Sequence, residues 1–159
     1  MLAFLLGGCA GYKLGPAKPA YLAQVHSIAV PTFGNITLSP RIEVLVTNTV
    51  IKQFQQDGTF RIVNEDQADA VLKAEIGAVG RAPARSVRGN VLSTTEFALS
   101  LSVKYSLVGR DGKAITGGGA SGNTSFFVGT DVATDERQAM PLAAEDMAKQ
   151  LVSQLSEGW

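Results

Sequence analysis

The stretch from Ser93 to Val108 alternates apolar and polar side chains, and it limits the possible folds more than any other part of the chain. Its odd-numbered positions are apolar from 97 to 107, and its even-numbered positions are small or polar from 96 to 106. Successive side chains of a strand point to opposite faces of a sheet, so the pattern predicts a long strand with one buried face. The other face meets water or a partner. The apolar positions are Phe97, Leu99, Leu101, Val103, Tyr105 and Leu107.

A helix is predicted well before this strand. Ser39 suits its N-cap, Pro40 its first turn, and Gly58 the left-handed position after its end. Val44 and Ile51 lie roughly opposite its apolar stripe and are either stray apolar residues or the mark of a covered, partner-facing surface. The stripe that should face the core consists of Ile42, Leu45, Val46, Val50 and Phe54.

Shorter apolar runs predict the rest of the sheet, at 27–33, 60–63, 70–76 and 113–116, with 120–128 able to extend it. Loop chemistry is expected from Gly80 to Asn90, and a bulge or bend at Gly117 to Gly119. A second helix is expected from Asp131 to Leu155, kinked or restarted at Pro141. The predicted fold is α+β and two-layered, with two helices packed on one face of a mostly antiparallel sheet of four to five strands.

Composition argues against several classes of function. The 159 residues carry 14 basic and 14 acidic side chains, a formal net charge of zero, so no global field attracts nucleic acid. Cys9 is the only cysteine and His26 the only histidine, which makes a zinc or haem site improbable on chemical grounds. No phosphate-binding loop or nucleophile elbow occurs. We expect no enzymatic activity, no cofactor and no metal.

The segment before Cys9 is typical of a secretory signal that ends at a lipid-attachment site. Met1 to Leu6 is apolar, and Leu6-Gly7-Gly8 precedes the cysteine in the pattern of a lipobox. Acyl chains on Cys9, at about 0.8 kcal/mol per buried methylene, would hold the protein on a membrane. We predict a signal-peptide remnant at 1–8, a lipidated tether at 9–26 and one domain at 27–159. No Lys or Arg precedes Leu6, so we expect the native start to lie upstream of Met1.

One stretch of the chain carries an excess of positive charge. No acidic residue occurs between Glu75 and Glu96, whereas Arg81, Arg85 and Arg88 all fall there. Guanidinium groups bind phosphates bidentately, so the three arginines are a candidate site for an anionic lipid or for the rim of a partner. A solvated polar loop between two strands is the alternative.

Several stretches resemble the LptE (RlpB) family of lipoproteins, in the same order. The segment 8–14 is similar to the start of mature family members, where a lipidated cysteine precedes a Gly-Tyr-x-Leu-like stretch. The segment 28–37 resembles the family's first strand and turn. The helix at 40–54, the strand entry at 68–72 and the alanine-rich C-terminal helix follow. The resemblance extends over 8–155.

The resemblance implies an outer-membrane lipoprotein of the lipopolysaccharide transport machinery. Members of this family sit largely inside the lumen of the β-barrel protein LptD as a plug, assist its assembly and bind lipopolysaccharide. The polar side of the long strand, with Ser100, Ser102 and Lys104, would then face a wet barrel lumen. The family's lipopolysaccharide contacts are basic loop positions, and only the arginines at 81–88 offer a comparable cluster.

Two other functions stay open at this point. Strands like 28–35 also occur in binding or channel-subunit lipoproteins of other envelope secretion and assembly systems, which tend to form rings. An envelope hydrolase would have to use His26, which precedes the first strand as an isolated residue.

Overall fold

The fold contains two helices and a six-stranded sheet. In the computed structural model, residues 18–87 and 90–158 are described, without the side chains of 86–87 and 90–93. A single turn of 3-10 helix at Ala20–Leu22 precedes the regular elements. They are β1 (Ser27–Ala29), β2 (Gly34–Asn35), α1 (Ile42–Asp57), β3 (Arg61–Ile62), β4 (Ala70–Val87), β5 (Asn90–Gly109), β6 (Ala114–Phe127) and α2 (Val132–Ser156).

The sheet has the order β3-β1-β4-β5-β6, and β2 pairs with β4 on the same side as β1. The three long strands are antiparallel, whereas the short strands β1, β2 and β3 pair in parallel. The two-layer α+β prediction is therefore confirmed, although the sheet is mixed and has more strands than the four to five expected. Parallel pairing requires a long crossover, which α1 supplies between β1 and β3.

The core forms where the alternation and the helical stripes predict it. The odd-numbered side chains of β5 from Leu99 to Leu107 are buried, and Phe97 is partly buried against them. On α1 the predicted stripe is confirmed, with Leu45 the one member only partly buried. Gly58 closes α1 with φ 75°, and its N–H donates to Phe54 O at 3.0 Å. The α2 side of the core comprises Ala139, Met140, Ala143, Ala144, Met147, Ala148, Leu151, Val152 and Leu155.

The loop predicted from Gly80 to Asn90 is wrong over 80–87, because β4 continues as a strand to Val87, and Asn90 belongs to β5; residues 88–89 lie outside the described residues. Glycines, Pro83 and arginines gave the segment a loop-like composition, but β5 offers a long partner that pairs with it as far as Val87, with register shifts after Pro83. Pro83 lies opposite Phe97. A proline is tolerated in a strand where its missing N–H would point away from the neighbouring strand.

The bulge or bend predicted at Gly117 to Gly119 is also wrong, since β6 keeps its register with β5 through all three glycines. Two glycines of this strand instead leave room for a neighbouring group. A Cβ on Gly118 would lie 3.0 Å from the Tyr105 hydroxyl. A Cβ on Gly122 would overlap the main chain of α2 at Ala143 and Met147. Helix α2 therefore rests directly on β6.

The helix ends differ partly from the predictions. Helix α1 begins at Ile42, and its N-cap is Arg41 with φ 64°, so the N-cap predicted at Ser39 is wrong. The preceding segment is held by Asn35, whose Nδ2 donates to Ser39 O at 2.9 Å. Helix α2 runs through Pro141 without interruption, so no restart occurs there.

Candidate functional site

The face of the sheet opposite the helices is mostly polar, although Phe127 of β6 lies exposed on it. Ser100 and Lys104 of β5 are exposed and Ser102 is half-buried. On β6 the neighbouring outward positions are Ser121, Asn123 and Ser125, all exposed. Within the described residues no helix covers this face, so it is a polar surface (the outer face) that could lie against another polar wall.

Arg81 belongs to the other side of the sheet. It pairs with the buried Leu99, its guanidinium lies 5.0 Å from the centre of the Phe97 ring, and its Nη1 is 2.7 Å from Glu136 Oε2 of α2. An arginine held by a carboxylate and an aromatic ring is a structural link between β4 and α2, and its charge is largely satisfied within the chain.

Arg85 lies on the outer face. A bulge after Pro83 places it opposite Glu96, whose carboxylate is 3.7 Å from Arg85 Nε and accepts a 2.6 Å hydrogen bond from Ser125 Oγ. Its side chain is 69% exposed, so the guanidinium can still reach an external anion. Arg81 and Arg85 thus occupy opposite faces, and they do not converge on one ligand. Arg88 and the lipidation candidate Cys9 lie outside the described residues.

The two apolar residues predicted to mark a partner-facing side of α1 differ in exposure. Val44 is 51% exposed, whereas Ile51 is half-buried. Only Val44 therefore presents a substantial apolar side chain to the surface.

A cleft that the sequence did not indicate lies between the first turns of α1 and the first half of α2. It encloses about 530 Å³. Its floor includes Leu45 and Met140, and its rim carries Leu38, which is fully exposed, with Arg41 and Arg137. These residues come from segments about 95 positions apart in the chain, so no local pattern could have revealed the cleft. The remaining lining residues are Ser39, Pro40, Ile42, Ala133 and Glu136.

Asp69, next to the lone histidine, has a structural role. Its Oδ2 accepts hydrogen bonds from His26 N–H at 3.0 Å, Ser27 N–H at 2.9 Å and Ser27 Oγ at 2.9 Å. The main-chain N–H of His26 is the largest cause of a lowered Asp69 pKa, followed by the Ser27 groups. The carboxylate fastens the start of β1 to β4, while the exposed His26 contributes its main chain.

No group of three or more histidine, cysteine, aspartate or glutamate residues suited to a metal ion occurs within the described ranges. Across those same residues, neither helix is long and apolar enough to span a bilayer.

The chain matches a known family and several solved structures. The model of the LptE family, described as lipopolysaccharide-assembly, matches residues 25–155. Comparison with curated proteins gives no significant match.

Three solved structures share the fold at 15% sequence identity. A Xanthomonas campestris protein has a TM-score of 0.61, covering 93% of this chain and 94% of its own. A PelC dodecamer from Paraburkholderia phytofirmans has a TM-score of 0.58, and the match covers 88% of this chain and 95% of the PelC chain. A minor lipoprotein from Acinetobacter baumannii has 0.55, covering 82% and 91%. Structures this distant in sequence show the fold alone, whereas the family match spans most of the chain. This chain therefore belongs to the LptE family of lipopolysaccharide-assembly proteins.

Proposed function

We propose that this chain is a lipid-anchored outer-membrane component of the lipopolysaccharide translocon. It plugs an LptD-like β-barrel, assists the assembly of that barrel and binds lipopolysaccharide. The chain carries out no catalysis in this role. Membership of a lipopolysaccharide-assembly family supports this role, and the polarity of the outer face supports the plug.

The observation that carries the plug is the chemistry of the outer face. A sheet face left bare in a stable protein is usually polar, and this one is mostly polar, with serines beside the exposed Lys104. The inner wall of a membrane barrel is polar and wet. Ser100, Ser102 and Lys104 would lie against it and exchange water for hydrogen bonds with lumen side chains. Val44 and Ile51 are the second proposed contact.

Copurification from native membranes tests the plug. We expect a large barrel protein to accompany the chain in mild detergent. A cysteine at Ser102 should crosslink to that barrel more strongly than one at Asn64, an exposed position in the loop after β3. Recovery of the chain alone at native expression would argue against the proposal.

Lipid anchoring at Cys9 is the second part of the proposal. The variant Cys9→Ala should release the protein from membranes in cells that lack the barrel, because the acyl chains are then the main attachment. Retention in that background would exclude the cysteine as the anchor.

Lipopolysaccharide binding through the arginine cluster is the third part. Arg85 and Arg88 are the better candidates for phosphate contacts, because Arg81 is engaged with Glu136. The double variant Arg85→Ser, Arg88→Ser should bind lipopolysaccharide more weakly at low salt, where charge contacts are least screened. Arg61→Ser, an exposed arginine on β3, is the matched control. Equal affinity of the double variant and the control would reject this site.

A ring-forming subunit of another envelope system is the second candidate. The shared fold of the PelC dodecamer favours it, and light scattering distinguishes the two. A homo-oligomer of about twelve copies in place of a one-to-one complex with a barrel would favour the ring.

A further inference from the structure

The two outer edges of the sheet, β6 and β4, differ in which described groups bind their free main-chain atoms. On β6, side chains of α2 bind main-chain groups in the middle of the strand. Gln150 Oε1 accepts from Ser121 N–H at 2.6 Å and Asp146 Oδ2 from Asn123 N–H at 2.9 Å. Gln154 donates to the carbonyl of Gly119. Uncovered edges recruit strands from other chains, and these side chains obstruct the middle of β6.

The opposite edge of β4 is covered only at its start. Short strands pair with it up to Ile76, whose carbonyl accepts the last bond, from Ile36 N–H at 3.2 Å. Asn35 then turns the chain away by accepting from Thr37 N–H at 2.9 Å. Beyond this point β4 is paired with β5 on one side, and no described strand lies on the other.

The direction of the free main-chain groups follows from the register. The carbonyl of Ile76 points away from β5, since it accepts from Ile36. The main-chain N–H and C=O groups of successive residues point to opposite sides of a strand. The pairing register of β5 shows no shift from 103 to 97. The main-chain groups of the β4 residues opposite Leu101, Leu99 and Phe97 therefore also point away from β5. These residues are Val79, Arg81 and Pro83.

This free edge offers the N–H groups of Val79 and Arg81 as donors and the carbonyls of Val79, Arg81 and Pro83 as acceptors, at the spacing that an added strand requires. Pro83, which has no N–H, fits an outward position. Within the described residues, neither the Val79 nor the Arg81 N–H has a hydrogen-bond partner. An extended segment could pair there without displacing any described residue.

The cleft lies beside this edge and indicates the chemistry of such a segment. Glu136 both lines the cleft and holds Arg81 of the edge, so its charge is balanced. The two other charged lining residues, Arg41 and Arg137, form no ion pair within 4.0 Å with any described residue, although Arg137 Nη2 donates to Thr134 Oγ1 at 2.8 Å. Arg41 is held at φ 64°, the one non-glycine residue with positive φ in the described ranges, a strain that persists where the surroundings impose it. The fully exposed Leu38 adds an apolar contact.

We infer that the edge of β4 at 79–83 is a docking site for an extended segment of a protein partner. The segment adds a strand to the sheet, places an acidic side chain against Arg41 and Arg137, and covers Leu38 with an apolar side chain. Main-chain pairing supplies the affinity, and the cleft supplies the specificity. The site is distinct from the outer face and does not depend on lipopolysaccharide binding.

The test uses the full chain and linear octapeptides selected from a random displayed library. We expect the selected peptides to carry Asp or Glu among apolar residues. On binding, amide hydrogen exchange at Val79 and Arg81 should slow by about tenfold or more, as expected for a main-chain hydrogen bond. Methylation of alternate peptide nitrogens, which removes the pairing donors, should abolish binding without any change to the protein.

A matched pair of variants locates the site. Val79→Pro removes one outward donor, as Pro83 does naturally, and should weaken binding about tenfold, whereas Lys73→Ala, at an exposed position nearer the start of the same strand, should not. The inference is overturned if no peptide is selected or if exchange slows only at other amides. It is overturned equally if methylated peptides bind as tightly as unmethylated ones. The same holds if self-association of the protein, without peptide, slows exchange at the Val79 and Arg81 amides.

Discussion

A side chain at position 122 of β6 should clash with helix α2. The substitution Gly122→Ala therefore measures how rigidly the helix layer and the sheet are joined. A Cβ at this position would overlap main-chain atoms of Ala143 and Met147. A flexible side chain could rotate away, but a helix backbone buried on that face moves only as a unit. Gly119→Ala is the matched control on the same strand, because its Cβ would meet only Val103 O at 3.7 Å, an ordinary contact.

The expected difference is large. Overpacking in a core costs about 1–3 kcal/mol, and we place Gly122→Ala at the upper end, about 3 kcal/mol. Gly119→Ala should be neutral or stabilising by about 0.5–1 kcal/mol, since alanine loses less backbone entropy than glycine in a strand. The two variants should then differ by about 3–4 kcal/mol in free energy of unfolding, or about 10 °C in Tm.

Urea and thermal unfolding followed by circular dichroism provide the measurement. Free energies of unfolding of Gly122→Ala and Gly119→Ala that agree within about 0.5 kcal/mol would refute the rigid contact. Such a result would mean that α2 can lift from β6 at little cost.

Three further predictions concern single side chains. Asp69→Asn should lower the free energy of unfolding by about 2 kcal/mol near pH 6. Because the folded-state pKa of Asp69 is lowered, this contribution is present above the ordinary value of about 3.9 and is lost as the pH falls through the folded-state pKa. Urea titrations should show the gap to wild type closing in acid, and a constant gap would contradict the assignment. Arg81→Ser should cost about 1 kcal/mol through its ion pair and ring contact, whereas Arg85→Ser should stay within about 0.5 kcal/mol of wild type; equal thermal stability of the two variants would argue against the link to α2. Tyr105→Phe should cost about 1 kcal/mol, because its hydroxyl donates to Gln154 at 2.8 Å, and an unchanged urea midpoint would exclude that bond.

Local patterns in the sequence determined the elements. The alternation at 97–107 required a half-buried strand, and the stripe from Ile42 to Phe54 required a helix against a core, because both periodicities follow from backbone geometry alone. Gly58 could be placed at the end of α1 for the same reason, as only glycine adopts its conformation without strain. These features need no knowledge of any other part of the chain.

Tertiary structure decided what the local patterns could not. The segment 80–87 became a strand because β5 pairs with it, overriding the composition of a loop. Arg81 became a structural link because Glu136, 55 positions away, lies beside it, and the bulge after Pro83 put Arg85 on the opposite face. The cleft and the free edge of β4 likewise exist only where distant segments meet. Sequence determined which residues could form strands and helices, and packing determined which of their charges and main-chain groups stay available to a partner.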